Sequence, residues 1–425
     1  MRAVNDAPET RTRERAAIEF VLDLGHALHA LGHPSHWLEA GMERAAARLG
    51  LHGQFFTTPT SIFAAFGEQH RQQTRLLRVE PGEVHLERLE DVLATGREVL
   101  EGRLAPADGS RRLAELLRSP SRWPPVVTGL AFVLSGAAAC RFLGGGAPEI
   151  AAAAALGGLV AVLAALAPRV PVLARLFEPL AVFAVSALAS LLATRTALSV
   201  YVTTVGAILV LLPGLTLTVA MAELSSRHLV SGTARLTGAA VQFLGLAFGV
   251  AMGARVVALF AGPAAHVTPA PLPAWTEYVA LLVAPLAFTV LLRARPRDYP
   301  WLLAVGACAF FAGRAATRAV GSELGAFTGA LVAAALSNVV ARRRGSPATT
   351  LVPSILLLVP GSVGFRSLTL LMNRDVLSGV EAAFRMIVMI AALVAGLLMA
   401  GVLVPAPALA GDEDEPPPPV PTIAD

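Results

Sequence analysis

The chain has 425 residues, of which 55% are hydrophobic and only 15% charged, with a mean hydropathy of +0.63. Soluble globular proteins carry roughly 25% charged residues, so this composition excludes a purely soluble chain and points to the lipid bilayer. A net charge of +4 and a pI near 9.8 raise the question of nucleic acid, but no nucleic-acid partner is expected. Every basic charge is arginine, placed singly or in short groups between apolar runs rather than on one face.

Residues 1–122 hold most of the acidic side chains and read as a small soluble α/β domain. "TRERAAIEFVLDLGHALHALG" and "SHWLEAGMERAAARLG" have helical periodicity, the second with Ser35 as an N-cap after Pro34. "QFFTTPTSIFAAF" and "TRLLRVEPGEVHL" carry β-favouring residues and a Pro-Gly turn. "ERLEDVLATGREVLEGRL" resumes a helix, and 106–118 forms another.

A bilayer-crossing helix needs about 20 mostly apolar residues. Ten stretches qualify: 124–143, 147–167, 176–193, 197–212, 233–260, 274–292, 299–316, 319–340, 349–371 and 380–404. The fourth is the weakest, since only Arg195 and Thr196 part it from the third. Arginines favour the side of the N-terminal domain (Arg118, Arg122, Arg169, Arg175, Arg227, Arg293, Arg295, Arg297 and 342–344), which places both termini in the cytoplasm. The first apolar run starts only after about 120 polar residues, so no signal peptide is expected. Cys140 and Cys308 sit in apolar segments without disulfide or metal spacing, and the acidic, Pro-rich tail 406–425 reads as disordered.

Two segments repeat. In "LLPGLTLTVAMAELSSRHLVSG" Pro213-Gly214 is followed by Arg227 at fourteen residues and Ser231-Gly232 at eighteen. In "LLVPGSVGFRSLTLLMNRDVLSG" Pro360-Gly361 is followed by Arg374 at fourteen and Ser378-Gly379 at eighteen, with Asp375 matching His228. The copies are five spans apart, so the halves 123–262 and 263–405 enter the membrane from opposite sides, the inverted repeat of many secondary transporters. Broken helices free backbone groups and half-helix ends that coordinate a polar or zwitterionic ligand, whereas alone a Pro-Gly pair is as readily a plain turn.

Ionisable groups inside spans cost roughly 2.5 kcal/mol or more at the bilayer centre. Glu178 and Glu323 fall in the third and eighth spans, equivalent under the repeat, and are candidates to carry a coupling proton unless they snorkel to the interface. Glu223 has no acidic counterpart in the second copy; it is placed to bind a substrate ammonium or to pair with Arg227 four residues on. Arg227, Arg366 and Arg374 are candidates for a substrate carboxylate or serve as topology anchors. Thr216 and Thr218 are candidates for a substrate hydroxyl, although Thr in membrane helices commonly bonds its own backbone.

"HPSHW" puts Ser35 between two histidines, but neighbours on one turn rarely meet as nucleophile and base, so capping is the expectation for Ser35. Of the histidines at 26, 29, 33 and 36 some share a helical face, but Pro34 breaks that helix and no further ligand completes a zinc set. No cofactor or metal is expected.

"LPGLTLTVAMAELSSRHLVSGTARL" and "TLVPSILLLVPGSVGFRSLTLLMNRDVLSG" resemble the two halves of the threonine/serine exporter family. "ALGHPSHWLEAGMERAAARLGL" and the segment from "TRLLRVEPGEVHL" to "AELLRS" resemble the polar N-terminal part of that family's first half. The resemblance spans roughly 15–405 and implies ten membrane spans, a cytoplasmic N-terminal domain and export of small hydroxy amino acids across a bacterial inner membrane, driven by protons. The expectation is therefore a non-enzymatic, membrane all-α secondary transporter of two inverted five-helix repeats behind a small α/β domain. Its substrate-binding residues would lie along the paired motifs, from Pro213 to Gly232 and from Pro360 to Gly379. The alternative is a membrane-anchored enzyme or sensor whose N-terminal domain carries the activity.

Overall fold

The N-terminal segment alternates helical and strand periodicities, and the remainder offers long apolar runs broken by Pro and Gly. A computed structural model of the chain describes residues 8–67, 72–80, 82–262, 265, 267–358, 361–372 and 375–407. Pro360, Arg374 and most of the acidic tail lie outside the described residues.

The N-terminal unit runs α1 (Pro8–Ala30), α2 (Ser35–Arg48), β1 (Gly53–Thr58), β2 (Ser61–Phe66), β3 (Gln73–Arg78), α3 (Leu86–Leu100) and α4 (Pro106–Arg118). The strands form one antiparallel sheet in the order β1-β2-β3, with Thr58 opposite Ser61 across a two-residue turn. Alternation along β1 turns Phe55 and Thr57 inward, and Phe20, Leu24, Leu38, Met42, Ile62 and Leu113 fill the core at 1% exposure or less. Proline starts α4 at its first position, where the missing N–H costs nothing.

The rest of the chain is helical: α5 (Pro125–Phe142), α6 (Ala147–Leu166), α7 (Pro171–Ala193), α8 (Val200–Ile208), α9 (Gly214–Ser225), α10 (Leu229–Ala261), α11 (Trp275–Leu291), α12 (Tyr299–Ala319), α13 (Ser322–Arg344), α14 (Ala348–Leu358), α15 (Gly361–Met372) and α16 (Val376–Leu403). Among the described residues eight helical stretches are long and apolar enough to cross a membrane, and a ninth if α8 and α9 count as one bent span. α11 is a shorter apolar helix of 17 residues. Large apolar side chains such as Leu259, Phe260 and Val402 stand 77–87% exposed on the outside of the bundle, as a lipid-facing surface requires. This is a multi-pass membrane protein of all-α type with a small sheet near its N-terminus.

Glycines bring helices to backbone contact. A Cβ on Gly253 of α10 would lie 2.5 Å from Phe183 O on α7, and one on Gly396 of α16 would lie 2.3 Å from Phe327 O on α13. Thus α7 packs on α10 as α13 packs on α16, and α9 lies on α10 as α15 lies on α16. The two sets also cross: α15 touches α10, and α9 touches α16.

The N-terminal unit is tied to one end of this bundle. The first amides of α3, which no intrahelical carbonyl can serve, donate to the carbonyls just after α11: Leu86 N to Leu292 O at 3.0 Å and Glu87 N to Arg293 O at 3.2 Å. Arg295 then reaches Glu90 at 2.9 Å and Asp91 at 2.5 Å, and Thr349 at the start of α14 donates to Glu90 at 2.5 Å. α16 ends beside α13 at this same end, where Asn338 Nδ2 donates to Val404 O at 2.7 Å.

Candidate functional site

The expected fourth span, 197–212, is shorter than a membrane crossing. α8 ends at Ile208, a 3-10 turn occupies Leu209–Leu211, and after Pro213 the chain restarts as α9, bent by 57° from α8. The cause is local, because Pro213 supplies no N–H to continue the ladder, and it stands at φ −76° and ψ 41°, outside the helical region, as the N-cap of α9. α14 ends at Leu358 and α15 starts at Gly361, and the expected break at Pro360 lies outside the described residues.

Gly361 of the second motif packs against the first break. A Cβ on Gly361 would lie 3.6 Å from Leu212 Cβ and 3.8 Å from Gly214 Cα, which puts the glycine starting α15 against the glycine starting α9. Pro213, Gly214 and Gly361 are all buried. Thr216 is half-buried, and Thr218 Oγ1 is turned to its own backbone, donating to Gly214 O at 3.1 Å.

Beyond the first break α9 carries Glu223 into a fully buried position, 0% exposed. Its expected partner is not the one found. Helix α9 ends at Ser225, and Arg227 adopts a left-handed φ of 64° and stands exposed, so the four-residue helical relation fails. Arg235 on α10 pairs with Glu223 instead, its Nε 3.2 Å from Oε1 and 3.1 Å from Oε2. The same Oε1 accepts the main-chain N–H of Ser35 at 2.9 Å.

Around this carboxylate the N-terminal unit and the membrane helices interlock. Ser35 Oγ donates to Ser231 Oγ at 2.9 Å, which donates onward to Thr57 O at 2.7 Å. Glu39 Oε1 accepts from Thr57 N at 2.6 Å and Thr57 Oγ1 at 2.8 Å, while Oε2 lies 3.1 Å from His228 Nε2. His228 Nδ1 lies 2.9 Å from Ser226 O; both neighbours are acceptors, so the ring serves both only with a hydrogen on each nitrogen. The His36 and His228 rings stand 6.0 Å apart, and burial followed by His228 pushes His36 down to about 4. Ser35 is not the N-cap of α2: Pro34 is, with no side-chain cap, and Ser35 Oγ faces a serine rather than a histidine. A nucleophile–base pair in "HPSHW" is thereby ruled out.

The second copy has the same local frame in different surroundings. His228 and Asp375, matched in sequence, are the N-caps of α10 and α16, and Asp375 Oδ1 accepts from Ser378 N at 3.3 Å. Gly232 and Gly379 are both buried in the first turn that follows. Gly379 O accepts from Ser367 Oγ at 2.7 Å, whereas Asp375 and Arg366 are exposed and Ser378 is half-buried.

Glu178 and Glu323 occupy unlike places. Glu178 lies at a kink in α7 beside Pro179 and the non-helical Leu176, and accepts from Gln242 Nε2 at 2.7 Å. The same amide lies 3.3 Å from Leu211 O, just before the first break. Glu323 is half-buried in the first turn of α13.

A cavity of about 280 Å³ lies between α5, α11, α12, α14 and the start of α15, beside the first break, with Ser135, Leu209, Leu357 and Ser362 among its walls. Glu277 and Arg314 line its end away from the N-terminal unit, where Arg314 donates to Glu277 and lies 5.7 Å over the Phe310 ring. Sequence reasoning missed Thr57, Arg235, Gln242, Ser135, Glu277 and Arg314. The only signal for the last two was a charge near the end of each of two apolar runs.

The family model ThrE, for threonine/serine exporters, matches residues 19–257, and a second, "Threonine/Serine exporter, ThrE", matches residues 277–403. Pheromone-regulated membrane protein 10 of Debaryomyces hansenii is 26% identical over 380 residues, covering 86% of this chain and 37% of the relative. An uncharacterized protein of Schizosaccharomyces pombe is 28% identical over 385 residues, 86% of this chain and 49% of the relative. The chain thus spans less than half the length of these curated relatives. No solved structure matches.

Proposed function

Since the chain belongs to the threonine/serine exporter family, we propose that it is a secondary transporter that moves small hydroxy amino acids out of the cytoplasm in exchange for protons. The observation that carries this reading is the contact of Gly361 with Gly214 and Leu212 at the heart of the bundle. The glycine of the second motif thus lies against the break of the first, and with a matching break at Pro360 the half-helix ends would face a common substrate.

In this reading residues 123–262 and 263–405 are inverted halves of five spans each, with the N-terminal α/β unit, residues 1–122, on the cytoplasmic side together with the C-terminal end of α16. The excess of arginine on that side supports the orientation. The relatives reported above are fungal, so they lend no support to the expected bacterial inner membrane; the proposal keeps only a lipid bilayer. Alternating access is a rocking of the halves about the paired breaks. The polar cluster around Glu223 closes the cytoplasmic path, and the cavity ending at Glu277 and Arg314 approaches from the other side. The candidate residues of the first motif thereby divide. Pro213, Gly214 and Thr216 belong to the substrate path, while Glu223, Ser231 and Gly232 belong to the closure. In the second motif Gly361 faces the path, and Asp375, Ser378 and Gly379 frame the opposite end; Pro360 and Arg374 lie outside the described residues. The reading of a membrane-anchored enzyme is disfavoured, because Ser35, Glu39 and Thr57 are committed to contacts with the membrane helices.

The test is efflux from proteoliposomes holding the purified full chain and radiolabelled threonine or serine, with and without an imposed proton gradient. Gradient-dependent efflux is expected. Its absence for every hydroxy amino acid tried would overturn the proposal.

A further inference from the structure

Of the polar groups that line the cavity beside the first break, the Ser135 hydroxyl is 2% exposed and has no hydrogen-bond partner among the described residues. A buried hydroxyl without a partner carries a desolvation cost that a bound polar group would relieve. At the other end, Glu277 and Arg314 place opposite charges side by side, with side chains 21% and 36% exposed, at the mouth of the space. Arg141, 8% exposed, backs them: its Nε donates to Thr276 Oγ1 at 2.6 Å, and its Nη1 lies 3.9 Å from Glu277 Oε1. Ser135 and Arg141 are six residues apart on α5, about 9 Å along the axis, the span of a short molecule with a hydrogen bond at either end. The walls between are apolar, with Ala139, Phe288 and Leu357. At about 280 Å³ the space lies at or below the lower limit of ordinary ligand pockets, roughly 300 Å³.

We propose that this cavity is the recognition site, from the side opposite the N-terminal unit, for a small zwitterionic hydroxy amino acid. The Arg314 guanidinium takes the carboxylate, Glu277 takes the ammonium, and Ser135 takes the side-chain hydroxyl. Arg141 is a positioning residue that holds α11 through Thr276 and steadies Glu277. This assignment rests on the transport reading above but is read out by binding, so the two can fail separately. Alternating access then needs little displacement, because Leu209, just ahead of the first break, and Ser362, at the start of α15, already line the inner end.

The experiment measures binding of radiolabelled L-threonine to the full chain in lipid nanodiscs, competed by three analogues that each lack one group. L-threonine methyl ester removes the carboxylate charge, N-acetyl-L-threonine the ammonium, and L-2-aminobutyrate the hydroxyl. Against the native chain each analogue should compete at least tenfold more weakly than threonine. Arg314→Gln should erase the penalty for the ester, Glu277→Gln that for the N-acetyl compound, and Ser135→Ala that for aminobutyrate, each leaving the other two in place. Arg314→Lys, which retains the charge, should keep the ester penalty and guards against misfolding of Arg314→Gln. Threonine binding with all three penalties unchanged in the variants would overturn the site while leaving the transport proposal standing. A native chain that neither binds nor moves any hydroxy amino acid would overturn both.

Discussion

The main-chain N–H of Ser35 donates to Glu223 Oε1 at 2.9 Å across 188 residues of sequence. Helix α2 begins with an uncapped Pro34 and has no acidic residue in its first turn, so its N-terminal donors need an acceptor from elsewhere. Glu223 supplies it, together with a negative charge at the positive end of the helix. The first membrane half thereby caps a helix of the N-terminal unit. The second copy has Leu370 at the matched position, and there Asp375 caps α16, a helix of its own half, instead.

Glu223→Ala therefore leaves both Arg235 and the Ser35 N–H unpartnered in a buried place. Removing one partner of a buried ion pair costs about 3–5 kcal/mol. Thermal unfolding of the full chain should show that loss, and hydrogen exchange should rise at 35–39 and 226–232. Glu223→Gln keeps an acceptor for Ser35 and should lose less. Native-like melting and exchange in Glu223→Ala would refute the capping role.

Two glycines of the membrane helices should respond in opposite ways to alanine. A methyl on Gly396 would meet backbone at 2.3 Å, at Phe327 O, with Leu331 N at 3.0 Å, so α13 and α16 must part. Overpacking of this kind costs about 1–3 kcal/mol, and the lost contact lies between two long helices. A methyl on Gly361 would find Leu212 Cβ at 3.6 Å, an ordinary contact, and Gly361→Ala should melt within about 1 kcal/mol of the native chain. Melting curves in one detergent compare them, and the reverse order would refute the packing argument.

Much of the fold was legible because its causes are local. Long apolar runs became α5, α6, α7, α10, α12, α13 and α16, and the Pro213-Gly214 pair became a helix break. Periodicity likewise separated α1 to α4 from the strands. The pairing of Glu223 was not legible, because the four-residue rule presumes a continuous helix and α9 stops at Ser225. Arg235 comes back from the next helix, at a spacing that no helical or strand period selects. Ser35 looked like its own helix's cap, since sequence shows a capping residue type but not an acceptor brought in from α9. The contact of Gly214 with Gly361 was hinted at by the duplicated motif, yet which faces of the breaks meet depends on how α9 and α15 cross between the halves.

Proton coupling, if it resides in a carboxylate near the breaks, is best placed at Glu178. Its bond from Gln242 is shared with Leu211 O just ahead of Pro213, so loading Glu178 with a proton alters the contact that holds the end of the first half-helix. Glu323 sits in the first turn of α13, where a carboxylate is accounted for by the helix terminus. Glu178→Gln should keep threonine exchange but lose its response to a proton gradient, whereas Glu323→Gln should retain that response. Equal gradient dependence in Glu178→Gln and the native chain, measured in proteoliposomes, would remove Glu178 from the coupling step.

The attachment of the N-terminal unit should weaken in mild acid, and His85 supplies the clearest handle. Its ring is 3% exposed, and Nδ1 accepts from Arg88 N at 3.2 Å as the cap of α3, the helix whose first amides bond to α11. Burial, then the charges of Arg88 and Arg293, push the imidazole down from 6.5 to about 4, with Glu87 opposing. A folded value below the unfolded one means that the unfolded chain takes up the proton first as pH falls. The stability His85 contributes is thus complete above about 6.5 and is lost progressively toward 4. The slope in that window is at most about 1.4 kcal/mol per pH unit. His36, also held near 4, adds to the same trend. Burial raises the Glu43 and Glu90 carboxyls, which opposes this trend, so the histidine part is read from the comparison with His85→Asn. His85→Asn retains a side-chain acceptor for the cap but cannot take the proton, so it should flatten the slope while leaving stability at pH 7.5 within about 1 kcal/mol. An unchanged slope in His85→Asn would show that the acid sensitivity arises elsewhere.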